Sequence, residues 1–262
     1  LADQRFGSES DTRMADRFIR LLTEHVFQSI SPDSLTSLQI GNEIDLYDTA
    51  NEPASFWSDY GWFLFHVKQR LASAAETRDL KLGFTVSYPG IASAPSAERA
   101  PFLEMSSTVD VVGLTYYGNA ATNWQVESSS AAELQAKLES FAALFPDRPI
   151  YLQELGFQTS PLNGSSEIEQ ARFFRNAFEA WDALQSRFPL VNIVRLNDLS
   201  VERAQAEAIP YGFEPTSDGY QNFLEYLRTL GVRSHGAAGR VKPAYEILKA
   251  EANRRGWGPS QE

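Results

Sequence analysis

The chain has 262 residues, 43% hydrophobic and 22% charged, with 16 glycines and 13 prolines, a composition that excludes a disordered chain and a coiled coil. Its 23 basic and 34 acidic side chains leave a net charge of −11, which repels phosphate backbones and anionic lipid and argues against nucleic-acid and membrane partners. Cysteine is absent and the three histidines, His25, His66 and His235, lie far apart, so disulfides and thiolate chemistry are excluded and neither a metal nor a cofactor is expected.

No run approaches the eighteen apolar residues of a membrane span. The chain opens on Leu1 with no basic-plus-apolar leader, and the expectation is that it begins inside a larger protein. Ser10 and Asp11 are N-cap choices for a first helix whose apolar face would be Met14, Phe18, Leu21, Leu22 and Val26. Residues 35–44 then read as a buried strand ending in Gly41-Asn42-Glu43. A long helix over 54–76 precedes a strand at 81–87 with Tyr88-Pro89-Gly90 as its exit turn. A short helix near 98–105 leads to a strand at 109–116, ended by Gly118. The next helix, 131–145, is stopped by Pro146. The strand at 149–153 leaves through Glu154-Leu155-Gly156. A helix over 167–187, a fifth strand at 191–196 and two helices, 220–230 and 243–254, complete the chain.

Five short apolar strands, each followed by a helix, indicate an α/β fold with a parallel sheet covered by helices. No strand exit carries G-x-G-x-x-G or a P-loop, which argues against an open doubly wound sheet. The exits end instead in Asn, Glu, Tyr, Gln and Asp, as the active face of a barrel does. Successive strands start about 38 residues apart, so eight units would need roughly 300 residues. The expected fold is therefore a (β/α)8 TIM barrel incomplete at its N-terminus, with five βα units visible and three more upstream. Residues 1–262 would form a single catalytic barrel domain, the C-terminal part of a larger barrel. An open five-stranded sheet is the alternative.

Three strand exits carry the chemistry: Leu38-Gln39-Ile40-Gly41-Asn42-Glu43-Ile44-Asp45, Val111-Val112-Gly113-Leu114-Thr115-Tyr116-Tyr117-Gly118, and Pro149-Ile150-Tyr151-Leu152-Gln153-Glu154-Leu155-Gly156-Phe157. An ionised carboxylate straight after an apolar strand is costly unless solvated or paired. One such glutamate is ordinarily a helix cap or an arginine partner; two, with Tyr116-Tyr117 between them in chain order, suggest a site.

These residues resemble the large clan of retaining glycoside hydrolases on TIM barrels (clan A). In that clan the fourth strand supplies an acid/base Glu after an Asn, and the seventh supplies the nucleophile. With three strands upstream, Glu43 and Glu154 fall on the fourth and seventh. The segments Gln39-Ile40-Gly41-Asn42-Glu43-Ile44 and Val112-Gly113-Leu114-Thr115-Tyr116-Tyr117 are most similar to the endo-β-1,4-galactanase family (glycoside hydrolase family 53). Leu152-Gln153-Glu154-Leu155-Gly156-Phe157 fits other clan members better, and Lys242-Pro243-Ala244-Tyr245 resembles the clan's last helix.

The resemblance implies cleavage of β-glycosidic bonds in a polysaccharide or oligosaccharide by double displacement, with two carboxyls about 5–5.5 Å apart. Glu43 would be the acid/base and Glu154 the nucleophile. Asn42 would hold the sugar 2-hydroxyl, and Tyr116 would donate to Glu154, with Tyr117 as the fallback. Tyr88, Trp124 and Phe157, which follow strands, are candidates for stacking on sugars. Asn197 and Asp198, after the fifth strand, are candidates for substrate hydroxyls at an exit where many clan members carry a Trp. Asp45 reads as a loop or helix-entry residue. Trp62, Phe63 and Phe65 read as core, His25 and His66 as helix-packing residues, and Phe173, Phe174, Phe178 and Trp181 as the face of an outer helix. A non-catalytic carbohydrate-binding barrel is the competing reading, and a metal-dependent barrel hydrolase fits the histidine count poorly. The expected partner is a carbohydrate, and the acidic, cysteine-free chain suggests an extracellular or periplasmic location.

Overall fold

The computed structural model describes residues 6–119, 123–217 and 219–257. Its strands are β1 (Ser37–Gln39), β2 (Lys81–Ser87), β3 (Val111–Tyr116), β4 (Ile150–Leu155) and β5 (Leu190–Ile193). Its α-helices are α1 (Arg13–Leu21), α2 (Phe56–Ser73), α3 (Tyr88–Ala92), α4 (Ser96–Met105), α5 (Ala131–Leu144), α6 (Glu167–Asp182), α7 (Val201–Ala208), α8 (Tyr220–Arg228) and α9 (Pro243–Arg254). Strand order in the sheet is β1-β2-β3-β4-β5, the order of the chain. The fold is α/β, a partial TIM barrel of five βα units.

The register follows from burial. β3 is buried at every position and β2 at all but Lys81, which suits strands covered on both faces. β1 pairs in parallel with β2, Leu38 opposite Leu82, and β2 with β3, Gly83 opposite Val111 through Ser87 opposite Thr115. The Val112 N–H donates to Pro149 O at 3.1 Å, and further along the Gly156 N–H donates to Tyr116 O at 3.0 Å.

The chain divides into two compact units, Leu1–Thr115 with Phe141–Tyr151, and Tyr116–Ser140 with Leu152–Glu262. In the first, Tyr60, Phe63, Leu64, Val67 and Leu71 form the buried stripe of α2, at the spacing of one helical face. Phe18 meets Phe63 edge-on at 5.6 Å, and His66, buried as expected, lies 3.1 Å from Ser8 O. Phe65 is 39% exposed, against its expected place in the core. The first helix also departs from expectation. Its N-cap is Thr12, and after Leu21 it continues as a π turn over Leu22–Val26. The wider turn shifts the phase, so Leu22 is buried while Leu21 and His25 face outward.

In the second unit Phe173, Phe174, Phe178 and Trp181 are buried on α6, as an outer helix requires. α6 ends at Asp182, five residues before the expected stop. There Asp182 meets Arg254, the last residue of α9, and Arg255, its C-cap, each at 2.5 Å, and both arginines also reach Glu251. α7 is an addition to the expected elements; only Ala204 and Ala208 of it are buried, too little apolar surface to mark a helix in the sequence.

Candidate active site

In the first unit the site begins where β1 stops. Pairing with β2 continues irregularly past Gln39, the Ile40 N–H donating to Gly83 O at 2.8 Å. The chain then turns through Gly41 (φ 82) and Glu43 (φ 48), so Glu43 stands beyond the strand and caps a short 3-10 turn, Ile44–Leu46. The Thr115 hydroxyl donates to Glu43 Oε1 at 2.6 Å. Asn42 is exposed beside it.

Asp45, expected in a loop or at a helix entry, is the middle residue of the 3-10 turn and is mostly enclosed. Its carboxylate accepts from the Ser87 N–H at 2.7 Å and the Ser87 hydroxyl at 2.6 Å. Burial pushes its carboxyl up despite those two bonds. Glycine is required opposite it, because a Cβ on Gly90 would stand 1.8 Å from Asp45 Oδ2. Tyr88 starts α3 rather than lying in a turn; it is half-buried, its ring 6.4 Å from that of Phe141.

In the second unit Glu154 lies inside β4, which runs two residues further than expected. The donor on its Oε2 is the hydroxyl of Tyr117, which corrects the expected assignment to Tyr116. Tyr116 is 4% exposed and its ring stacks on Phe173. Neighbouring residues at a strand end project to opposite sides, so only one of the pair can lie with Glu154. Gly156 makes room for Tyr117: a Cβ there would come within 2.7 Å of the Tyr117 ring and 2.8 Å of Val194.

Two further expectations are corrected here. Phe157 is 1% exposed and stacked on Phe173 at 4.6 Å, a core ring rather than a sugar platform. Asn197 and Asp198 are engaged by the protein rather than left for substrate hydroxyls. The Asn197 amide donates to Gly236 O at 2.6 Å. Asp198 accepts from the Gly231 N–H at 3.0 Å and pairs with the buried Lys242 ammonium at 2.7 Å. Burial pushes the Asp198 carboxyl up and the Lys242 ammonium down, and each charge opposes the shift of the other.

Trp124 is half-buried, its ring stacked on Tyr226 at 4.8 Å and tilted against Phe223 at 4.7 Å. Its φ is 61. Among the described residues, Glu43 and Trp124 are the two non-glycine residues with a left-handed backbone, and both are residues the sequence singles out. Strained backbone of this kind gathers at functional sites.

Thr115 and Gly156 have roles at the site that the sequence does not announce. Thr115 could have been found by parity: it stands two residues before Tyr117, hence on the same face of an ideal strand. Among the described residues, no group of three His, Asp or Glu side chains is placed to hold a metal ion, and no helix is long and apolar enough to cross a membrane.

No family model and no curated protein matches the chain. Solved structures do. An active-site mutant of a Rhizomucor miehei β-1,3-glucanosyltransferase in complex with laminaritriose matches with a TM-score of 0.53 and 12% identity, over 88% of this chain and 71% of that one. A thermostable mutant of a Cellvibrio japonicus xylanase gives 0.54 and 14%, over 94% and 73%. A Bacteroides uniformis β-glucuronidase gives 0.56 and 14%, over 96% of this chain but 27% of its own length. What these carbohydrate enzymes share with this chain is the fold.

Proposed function

We propose that the chain belongs to a retaining glycoside hydrolase that cleaves β-linked glycans, with Glu154 as nucleophile and Glu43 as acid/base. The observation that carries this reading is the Tyr117 hydroxyl on Glu154, in a barrel fold shared with glycosidases. A phenol donating to one oxygen of a carboxylate holds that carboxylate in one orientation, which in-line attack by a nucleophile requires.

The chemistry proceeds in two displacements. One Glu154 oxygen attacks the anomeric carbon as the glycosidic C–O bond breaks, and Glu43 gives its proton to the leaving oxygen. Glu43, now ionised, takes a proton from water, whose oxygen displaces Glu154 and releases the sugar with its β configuration retained. Asn42 is assigned to the sugar 2-hydroxyl and Trp124 to sugar stacking. The motif around Glu43 favours β-1,4-galactan as the first substrate to try, and such a substrate implies export of the enzyme.

The test is kinetic and stereochemical. Glu154→Gln is expected to abolish turnover, and Glu43→Ala to spare aryl glycosides with good leaving groups. NMR of the first-formed product is expected to show the β anomer. An α product, or equal residual activity of both variants on an activated aryl glycoside, overturns the assignment. Glycan binding without product release points to a carbohydrate-binding protein instead.

A further inference from the structure

A row of aromatic rings, Tyr117 and Trp124 from the segment after β3 and the others from the segment between β5 and α9, leads outward from the residue holding Glu154. Tyr117 meets Tyr226 edge-on at 5.5 Å, Tyr226 stacks on Trp124 at 4.8 Å, and Trp124 packs on Phe223 at 4.7 Å and on Phe213 at 6.2 Å. Tyr211 then meets Phe223 at 5.4 Å and is itself 60% exposed. Tyr226 and Phe223 belong to α8 and are buried on Ala204 and Ala208 of α7, so the row is rigidly backed.

Its pivot, Trp124, is clamped. The amide of Gln158, four residues beyond Glu154, donates to Trp124 O at 2.5 Å. Asn163 in turn donates to Gln158 Oε1 at 2.5 Å and to Asn222 O at 2.8 Å. Gln158 and Asn163 are both fully buried. Buried amides are retained where they must fix one geometry, and here they fix a tryptophan in a left-handed conformation.

We propose that Trp124 and Tyr211 form an outer subsite that stacks on sugar rings of a β-linked glycan chain beyond the bond being cleaved. This rests on the proposed function. A sugar chain suits the row better than a protein partner does. The row continues from the candidate nucleophile's own partner, and its exposed member, Tyr211, presents an apolar ring with a polar tip. Asn123, exposed beside Trp124, adds an amide suited to hydroxyls.

The experiment uses native gels containing β-1,4-galactan, laminarin or xylan, run with the Glu154→Gln protein alone and with Tyr211→Ala or Tyr211→Trp added. At least one glycan is expected to retard Glu154→Gln. Tyr211→Ala is expected to weaken that retardation about 3- to 10-fold, the range of one aromatic contact, and Tyr211→Trp to restore it. With the active enzyme, the ratio of kcat/KM on the matching pentasaccharide to that on the aryl disaccharide is expected to fall by the same factor in Tyr211→Ala. Retardation by none of the glycans, or a ratio and retardation unchanged in Tyr211→Ala, overturns the subsite. Retardation lost in Tyr211→Ala by a protein that cleaves nothing upholds the subsite and overturns the hydrolase reading alone.

Discussion

Glu43 and Trp124 share a left-handed backbone that no other non-glycine residue among the described ones adopts. For an L-residue this conformation costs about 1–2 kcal/mol, and it sets Glu43 beyond β1 within reach of Thr115. Glycine carries no such penalty. Glu43→Gly and Glu43→Ala both delete the carboxylate, so the difference between them isolates the backbone. Glu43→Gly is expected to be more stable than Glu43→Ala by about 1 kcal/mol, measured from urea midpoints at constant slope. Equal midpoints would show that the turn carries no strain.

The tyrosine pair gives a second contrast. Tyr117→Phe keeps the ring and deletes the donor on Glu154. A hydrogen bond to a charged group contributes about 1.5–3 kcal/mol, so kcat on an aryl glycoside is expected to fall about 10- to 100-fold. Tyr116→Phe keeps the ring stacked on Phe173 and is expected to leave kcat of the same order. The reverse pattern would return the role to Tyr116.

The reason the sequence misassigns that role is physical. β3 is buried at all six positions, so it lacks the apolar–polar alternation that would tell which of Tyr116 and Tyr117 faces Glu154. β2 and α9, by contrast, run over Lys81–Ser87 and Pro243–Arg254 as the sequence indicates. One alternates Leu82, Phe84 and Val86 with polar residues or glycine, the period of a strand, and the other has proline at its first turn. β1 is read too long because apolar Ile40 and Ile44 flank Gly41 and Glu43, whose left-handed backbones no hydrophobic pattern reports. Asp198 looks available in sequence because its partner, Lys242, lies 44 residues away.

Gly156 offers a test through packing alone. A methyl there would stand 2.7 Å from the Tyr117 ring and 2.8 Å from Val194 Cγ1. Overpacking of this kind costs about 1–3 kcal/mol, and the movable group is the ring that holds Glu154. Gly156→Ala is expected to lower kcat more than it changes KM, and to lower the unfolding midpoint. Unchanged kcat in a destabilised protein would separate the glycine from the site.

The Asp198–Lys242 pair is a structural tie. Lys242 is 2% exposed on its side chain, and its ammonium also reaches Thr159 Oγ1 at 3.2 Å. Removing one member of a buried pair leaves the other charge uncompensated, at about 3–5 kcal/mol. Lys242→Met is therefore expected to cost about 3 kcal/mol, and Lys242→Met with Asp198→Asn distinctly less. A double-mutant cycle by urea unfolding measures the coupling. Additive effects would show that the two charges act independently.

Acid should release α9 from α6. Burial works against ionisation at Asp182 and Glu251, but hydrogen bonds from Arg254 and Arg255 more than offset it and hold both carboxyls below the usual range. A depressed folded value means that the unfolded chain binds protons first as pH falls. The stabilisation is therefore present above pH about 4, the ordinary carboxylate value, and is lost as pH drops through the lower folded values. Arg255 also lies over the rings of Trp181 and Trp257, which are 5.5 Å apart, so tryptophan emission reports the contact. Asp182→Asn removes one of the two carboxylates and is expected to flatten the acid dependence of the urea midpoint between pH 5 and pH 3, those limits being set by the ordinary range, while leaving Trp257 emission at neutral pH shifted toward the unfolded value. An acid limb of undiminished slope in Asp182→Asn would place the titrating groups elsewhere in the chain.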